Sequence, residues 1–188
     1  MRLFKEKKIT YGKYKVHLKI GALNVLVEKS RIYLEQDIIK VLEIEKTDEI
    51  LKSLNIKAFD LDSKFDIVIA YSGLRDILIP IKLKEKMNTL DIDFKLVEEI
   101  SEKNKVVGYH VFTFFNNNIY CRNFAPLYGI AEESATGSSN GALLGYLFQK
   151  NFIKEGEYKI FQGENFKETS LIYGKVLKNN KIYIGSEF

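Results

Sequence analysis

Between Arg122 and Asn140 the sequence reads RNFAPLYGIAEESATGSSN, and this segment gathers residue types that can hold an anion and move a proton. Two adjacent carboxylates, Glu132 and Glu133, precede a run of small residues, Thr136, Gly137, Ser138 and Ser139, that opens a helical pattern. The first amides of a helix have no intrahelical acceptor; with the positive end of the helix dipole they make a site for a carboxylate or phosphate. Glycine at 137 lets a ligand approach the backbone, and Ser138 could donate a hydrogen bond to it. A neighbouring carboxylate could then serve proton transfer. The same spacing also fits a plain helix start, with Thr136 or Ser138 as the cap and the acids favoured by the dipole. Nucleotide hydrolysis is excluded, because GSSNG lacks the Gly-Lys-Ser/Thr ending that reaches the terminal phosphates and magnesium.

The elements that must position this segment are mostly strands. Val16, Leu18 and Ile20 alternate with Lys15, His17 and Lys19, the two-residue period of a half-buried strand, and Leu23, Val25 and Val27 repeat it. Ile32 to Leu34 reads as a third short strand, and Thr47 as the N-cap of a helix carrying Ile50, Leu51 and Leu54. From Phe65 onward the order reads strand, strand, helix, strand, strand, helix, strand, strand, strand. Ser72 and Gly73 mark the first turn, Asp93 caps the first helix, and Asn116 to Asn118 turn a hairpin. The second helix, GSSNGALLGYLFQKNF, carries glycines at 137, 141 and 145, each interior one costing roughly 1 kcal/mol of helicity against alanine. Something must pack closely against its backbone, and a curved sheet enclosing a central helix near residues 138–151 would do so.

The chain has 188 residues, 46% of them apolar and 29% charged, with 29 basic and 25 acidic side chains. It therefore reads as a globular protein with an ample core, its net charge of +4 too small to require a nucleic-acid partner. Lysines at 5, 7, 8, 13, 15 and 19 lack the interleaved aromatic platforms of single-strand binders and read as a solvated strand face. One cysteine and two histidines rule out an intramolecular disulfide framework and a structural Cys/His zinc site. No apolar run approaches the roughly 18 residues of a spanning helix, so a cytoplasmic location and no membrane partner are expected. His110, on a strand, reads as a packed residue rather than a ligand, and His17 as exposed. Cys121 reads as a small buried side chain, and Arg122 as either a carboxylate binder or a structural hydrogen-bond donor.

The run Arg122-Asn-Phe-Ala-Pro126, then Gly129-Ile130, Glu132-Glu133 and Ala135-Thr136-Gly137-Ser138, resembles the signature of the PhzF-like phenazine-biosynthesis family, which shares its fold with diaminopimelate epimerase. Ser72-Gly73-Leu74-Arg75, the Gly108 to Phe112 strand and Gln162-Gly163 support the resemblance in the family's order. It implies an α+β fold in which curved sheets, closed as barrels, wrap central helices: one complete barrel over residues 46–188 and a remnant of another over 1–45. It also implies a cofactor-independent isomerase or epimerase that shifts a proton on a small carboxylated metabolite. Glu133 and Ser138 fall on the catalytic positions, Glu133 one methylene longer than the usual aspartate. Ser72, Gly73, Thr136, Gly137, Ser139, Gln162 and Gly163 fall on substrate-binding positions.

The family's general-base glutamate and Gly-His segment have no counterpart here, Ser134 replaces a usual proline, and the residues after Gly163 lack the usual Gly-Arg-Pro-Ser pattern. Cys121 lies away from the helix start, so a two-thiol racemase is unsupported. The expectation is a chain truncated relative to the family, with a homodimer or a separate chain supplying the missing half. A non-catalytic binding or assembly module that keeps the anion site is the alternative.

Overall fold

A computed structural model describes residues 10–18, 21–28, 30–37 and 39–187. Lys5, Lys7, Lys8 and Lys19 lie outside them; Lys13, Lys15 and His17 are exposed, as a solvated strand face requires.

Twelve strands among the described residues form one sheet. β1 (Gly12–Leu18), β2 (Gly21–Glu28) and β3 (Arg31–Glu35) form an antiparallel meander, followed by a short β4 (Lys40–Glu43). Next come α1 (Asp48–Ser53), the hairpin β5 (Val68–Ser72) and β6 (Leu74–Pro80), and the helices α2 (Lys84–Asn88) and α3 (Phe94–Asn104). The hairpin β7 (Gly108–Phe115) and β8 (Asn118–Ala125) turns on Asn116 and Asn117, both at positive φ. A short β9 (Ile130–Glu133), the helix α4 (Gly137–Gln149), and β10 (Gly156–Gln162), β11 (Ser170–Val176) and β12 (Ile182–Glu187) complete the chain.

The sheet runs β1-β2-β3-β12-β11-β10-β8-β7-β6-β5-β4, with β9 added beside β8. This architecture agrees with the sequence reading in its mixed α+β class and in a helix, α4, packed on one face of the sheet. The expected barrel closure is not among the pairings of the described residues, because β1 and β4 are the two ends of an open path.

Handedness explains where the helices lie. β6 and β7 are parallel, as are β8 and β10, and both crossovers advance in the same sense along the sheet. β7 and β8 are antiparallel, so the two crossovers run in opposite strand directions. Right-handed connections then require α3 and α4 on opposite faces. The outer face packs Ile77, Ile79, Tyr109 and Val111 against Ile50, Met87, Val97 and Ile100 of α1 to α3. The inner face packs Leu78, Phe112, Cys121 and Ile160 against Leu143, Leu144 and Leu147 of α4.

Of the four α-helices among the described residues, only α3 starts on a side-chain cap. Asp93 caps α3 by accepting the Leu96 amide at 3.0 Å. Thr47 precedes α1 but caps it only through its carbonyl, which accepts the Leu51 amide at 2.9 Å. β4 and β9 have only four residues each and no alternation long enough to reveal them in the sequence.

The glycines of α4 are accounted for by the segment between β3 and β4. A Cβ at Gly141 would lie 2.5 Å from Gln36 Oε1, and one at Gly145 would overlap the Ile39 side chain. Gly145→Ala should therefore lower stability by about 1–2 kcal/mol in urea unfolding, since overpacking outweighs the gain in helix propensity. The loss should shrink in an Ile39→Ala background, and an undiminished loss would show that this contact is not its cause.

Candidate active site at the start of the central helix

Alternation places Asp76, His110, Asn123 and Gln162 on the inner face, at the same parity as Leu78, Phe112, Cys121 and Ile160. At one end of each strand the apolar inner row gives way to these polar side chains. That end faces the first turn of α4, where Thr136 is the N-cap residue and Gly137 to Asn140 are small enough to let the sheet close in.

The result is one continuous chain of hydrogen bonds. Ser139 Oγ donates to Asp76 Oδ2 at 2.7 Å. The Asn123 amide donates to Ser139 Oγ and to His110 Nδ1, both at 3.2 Å. With Nδ1 accepting, Nε2 carries the ring proton and donates to Asn140 Oδ1 at 3.1 Å. Asn140 Nδ2 donates to the Thr136 carbonyl at 2.7 Å and to Gln162 Oε1 at 2.8 Å. Gln162 Nε2 donates to the Glu133 carbonyl at 3.0 Å and to Thr136 Oγ1 at 2.9 Å. Thr136 Oγ1 closes the chain by donating to Glu133 Oε2 at 2.6 Å.

Every amide in the series uses both hydrogens, so the direction of each bond is fixed. The chain begins at one carboxylate, Asp76, and ends at another, Glu133. Burial holds the imidazole neutral, His110 being lowered to about 4 against a weaker opposing effect of the Asn140 bond. Burial also pushes Asp76 up to about 6; the Ser139 bond opposes this and the negative Glu133 adds to it. Asp76 is 1% exposed, and its Oδ1 has no hydrogen-bond partner.

A second polar cluster holds the loop that carries Glu133. Arg122 grips Glu132 with two bonds, Nε to Oε1 at 2.9 Å and Nη2 to Oε2 at 2.8 Å, while Nη1 donates to the Met87 carbonyl at 2.9 Å. With its oxygen turned toward the guanidinium, Asn165 lies 2.8 Å from Nη2. Arg122 is therefore a structural donor, the second of its two expected roles. Gly163, at φ +83°, lies against Ser134, where a Cβ would be 2.9 Å from the Ser134 carbonyl oxygen. Only glycine tolerates both that backbone angle and that approach.

Of the residues singled out in the sequence, Glu133, Thr136, Ser139 and Gln162 meet in the hydrogen-bonded chain. Gly137 and half-buried Ser138 lie on the exposed side of the same helical turn. The Thr136 amide is already taken by Gln162 Oε1 at 3.3 Å, and Ser139 is buried against Asp76, so the outward side of the turn lies at Gly137 and Ser138. Ser72 turns to Gln36 Oε1 at 3.4 Å, and Gly73 makes the β5–β6 turn at φ +81°; neither joins the chain. Asp76, Asn123 and Asn140 join the hydrogen-bonded chain without a sequence motif to mark them, and His110 is a buried, bonded member of it. The available signal was a polar residue at an inward-facing strand position.

Residues 1–185 match the PhzC-PhzF family, described as phenazine biosynthesis-like protein, and the chain belongs to that family. It is 34% identical over 111 residues to an uncharacterized isomerase of Clostridium acetobutylicum, covering 57% of this chain and 37% of that one. It is 28% identical over 128 residues to the trans-2,3-dihydro-3-hydroxyanthranilate isomerase of Pseudomonas fluorescens, covering 68% and 43%. The matched stretch thus spans 37% and 43% of the length of these relatives. Its fold is similar to that of the Bacillus anthracis phenazine biosynthesis protein of the PhzF family, with a TM-score of 0.82 at 17% identity over 99% of this chain and 69% of that one. A predicted epimerase of Pseudomonas aeruginosa gives 0.76 at 17% identity over 98% and 67%.

Asp76→Asn should reveal the cost of burying the charge. A carboxyl raised from 3.8 to about 6 on folding favours the fold fully below pH 4, and that contribution is lost as the pH rises through 6. His110, lowered on folding, acts in the opposite sense, favouring the fold less as pH falls from 6.5 to about 4. The wild-type profile mixes the two, whereas the difference between variant and wild type isolates Asp76. Asp76→Asn should be more stable by about 2–3 kcal/mol in urea at pH 7.5, with the gain disappearing near pH 4. A gain independent of pH would contradict the assignment.

Proposed function

We propose that this chain carries the Glu133 side of an isomerase site that shifts a proton on a small carboxylated metabolite. The observation that carries the reading is the Glu133 carboxylate, held at 2.6 Å by Thr136 at the open first turn of α4. The substrate carboxylate rests on the amides from Gly137 to Ser139, where partial positive charge is fixed in place before the ligand arrives. The Ser138 hydroxyl donates to the same ligand. Glu133 orients the substrate or relays the proton, with one oxygen committed to Thr136 and the other available to the reacting carbon or oxygen. Family membership and relatives named as isomerases support this reaction class. No step of this reading uses a cofactor.

The buried chain behind the turn supplies rigidity. Gln162 and Asn140 fix Thr136 from the far side, and Thr136 fixes Glu133, so the acid needs little reordering when substrate binds.

A direct test follows trans-2,3-dihydro-3-hydroxyanthranilate in deuterium oxide by NMR with the protein added in its native assembly, which brings the other side of the site. Deuterium should enter at carbon, and Glu133→Gln should slow its entry by about 10²–10⁴-fold. Ser138→Ala should weaken substrate binding more than turnover. Binding without exchange, or exchange untouched by both substitutions, would overturn the isomerase reading, the first outcome in favour of a binding module.

A further inference from the structure

Asp76 takes no part in the scheme above, yet it is the most deeply buried carboxylate at the site, and it points at the helix turn assigned to the ligand. Oδ2 is bonded to Ser139 in that turn, while Oδ1 is enclosed and has no partner. Around it stand Ser139 from α4, Glu133 from β9, and the neutral His110 and Asn123 from β7 and β8; across the ladder lie Ala70 and Gly108. Among the described residues no cation offsets its charge: Arg122 is committed to Glu132 and Met87, and Arg75 is exposed.

We propose that Asp76 couples ligand binding to proton uptake: when a carboxylate occupies the first turn of α4, a proton from solvent settles on Asp76 Oδ1. This rests on the anion site of the preceding subsection. Three carboxylates, Asp76, Glu133 and the ligand, would otherwise meet at one helical turn; Glu133 already disfavours the charge on Asp76, and a third negative charge adds to that. Asp76 yields first because it is the one shut away from water. Oδ1 can take the proton without breaking the Ser139 bond at Oδ2, so the chain from Asn123 to Glu133 stays in place.

The sign follows from linkage. The ligand's charge raises the Asp76 pKa further, so affinity is level below about pH 6 and falls by up to about tenfold per pH unit above it, until the pKa of the complex is passed.

The test is calorimetric titration with benzoate between about pH 5.5 and 8, in pairs of buffers that differ in ionisation enthalpy. Wild type should take up close to one proton per benzoate near pH 7. Asp76→Asn should bind with no pH slope over this range and take up none, circular dichroism confirming its fold. In wild type, the ¹³C carboxyl resonance of Asp76 should titrate near pH 6 when free and at higher pH with benzoate bound. A pH-independent wild-type affinity, equal proton uptake by both proteins, or an Asp76 titration that benzoate leaves unmoved would overturn the proposal while leaving the anion site standing. Failure of benzoate to bind at any pH would remove the anion site itself, and the coupling with it.

Discussion

A helix that begins inside a protein brings unpaired amides and a positive dipole end into a region with little water, and those groups must find partners. Helix α4 poses this problem most sharply, because Ser139 and Asn140 at its start are buried and the sheet lies against them on the inner side. The inner face answers with polar side chains where α4 starts and with Leu and Phe farther along. Asn140 and Gln162 take up the Thr136 carbonyl and amide, and Ser139 is held between Asp76 and Asn123. The only part of the turn left open is the side facing outward at Gly137 and Ser138.

Close packing sets the rest. Gly141 and Gly145 let residues 36 and 39 lie against α4, and this crossing segment joins the β1-β2-β3 meander at one end of the sheet to β4 at the other. β3 pairs with β12, so the meander belongs to the same sheet as the strands that surround the site. On the far side, Arg122 ties the Glu133-bearing loop to the end of α2 through Glu132 and the Met87 carbonyl. A helix start, a loop and a sheet edge are thus positioned by separate anchors, and a polar chain with fixed bond directions connects them.

Much of this was legible in the sequence. The glycine spacing and polar opening of GSSNGALLGYLFQ placed the central helix within a residue or two of its observed limits, and Asp93 capped its helix as its position suggests. Glu133, Thr136, Ser139 and Gln162, which the family resemblance puts on site positions, meet in one hydrogen-bonded chain. Alternation alone did not reveal the other members. It tells which face a strand residue occupies but not which end of the sheet meets the helix, so His110 read as packing and Asp76 as an ordinary strand residue. Asn123 and Asn140 become informative only once β8 and α4 are side by side. The open path of the sheet was equally hidden, since nothing local in β1 or β4 says whether their outer edges meet.

The central claim is that one fixed chain of buried hydrogen bonds sets the start of α4, with His110 as its neutral middle link. ¹⁵N NMR of the two histidine rings tests this most directly, with His110→Asn used to distinguish His110 from exposed His17. Throughout pH 5–8, His110 should remain neutral, with the proton on Nε2 and a bare Nδ1, because burial keeps its pKa near 4. An imidazolium forming between pH 6 and 7, or a proton resident on Nδ1, would reverse bonds in the chain and contradict the account.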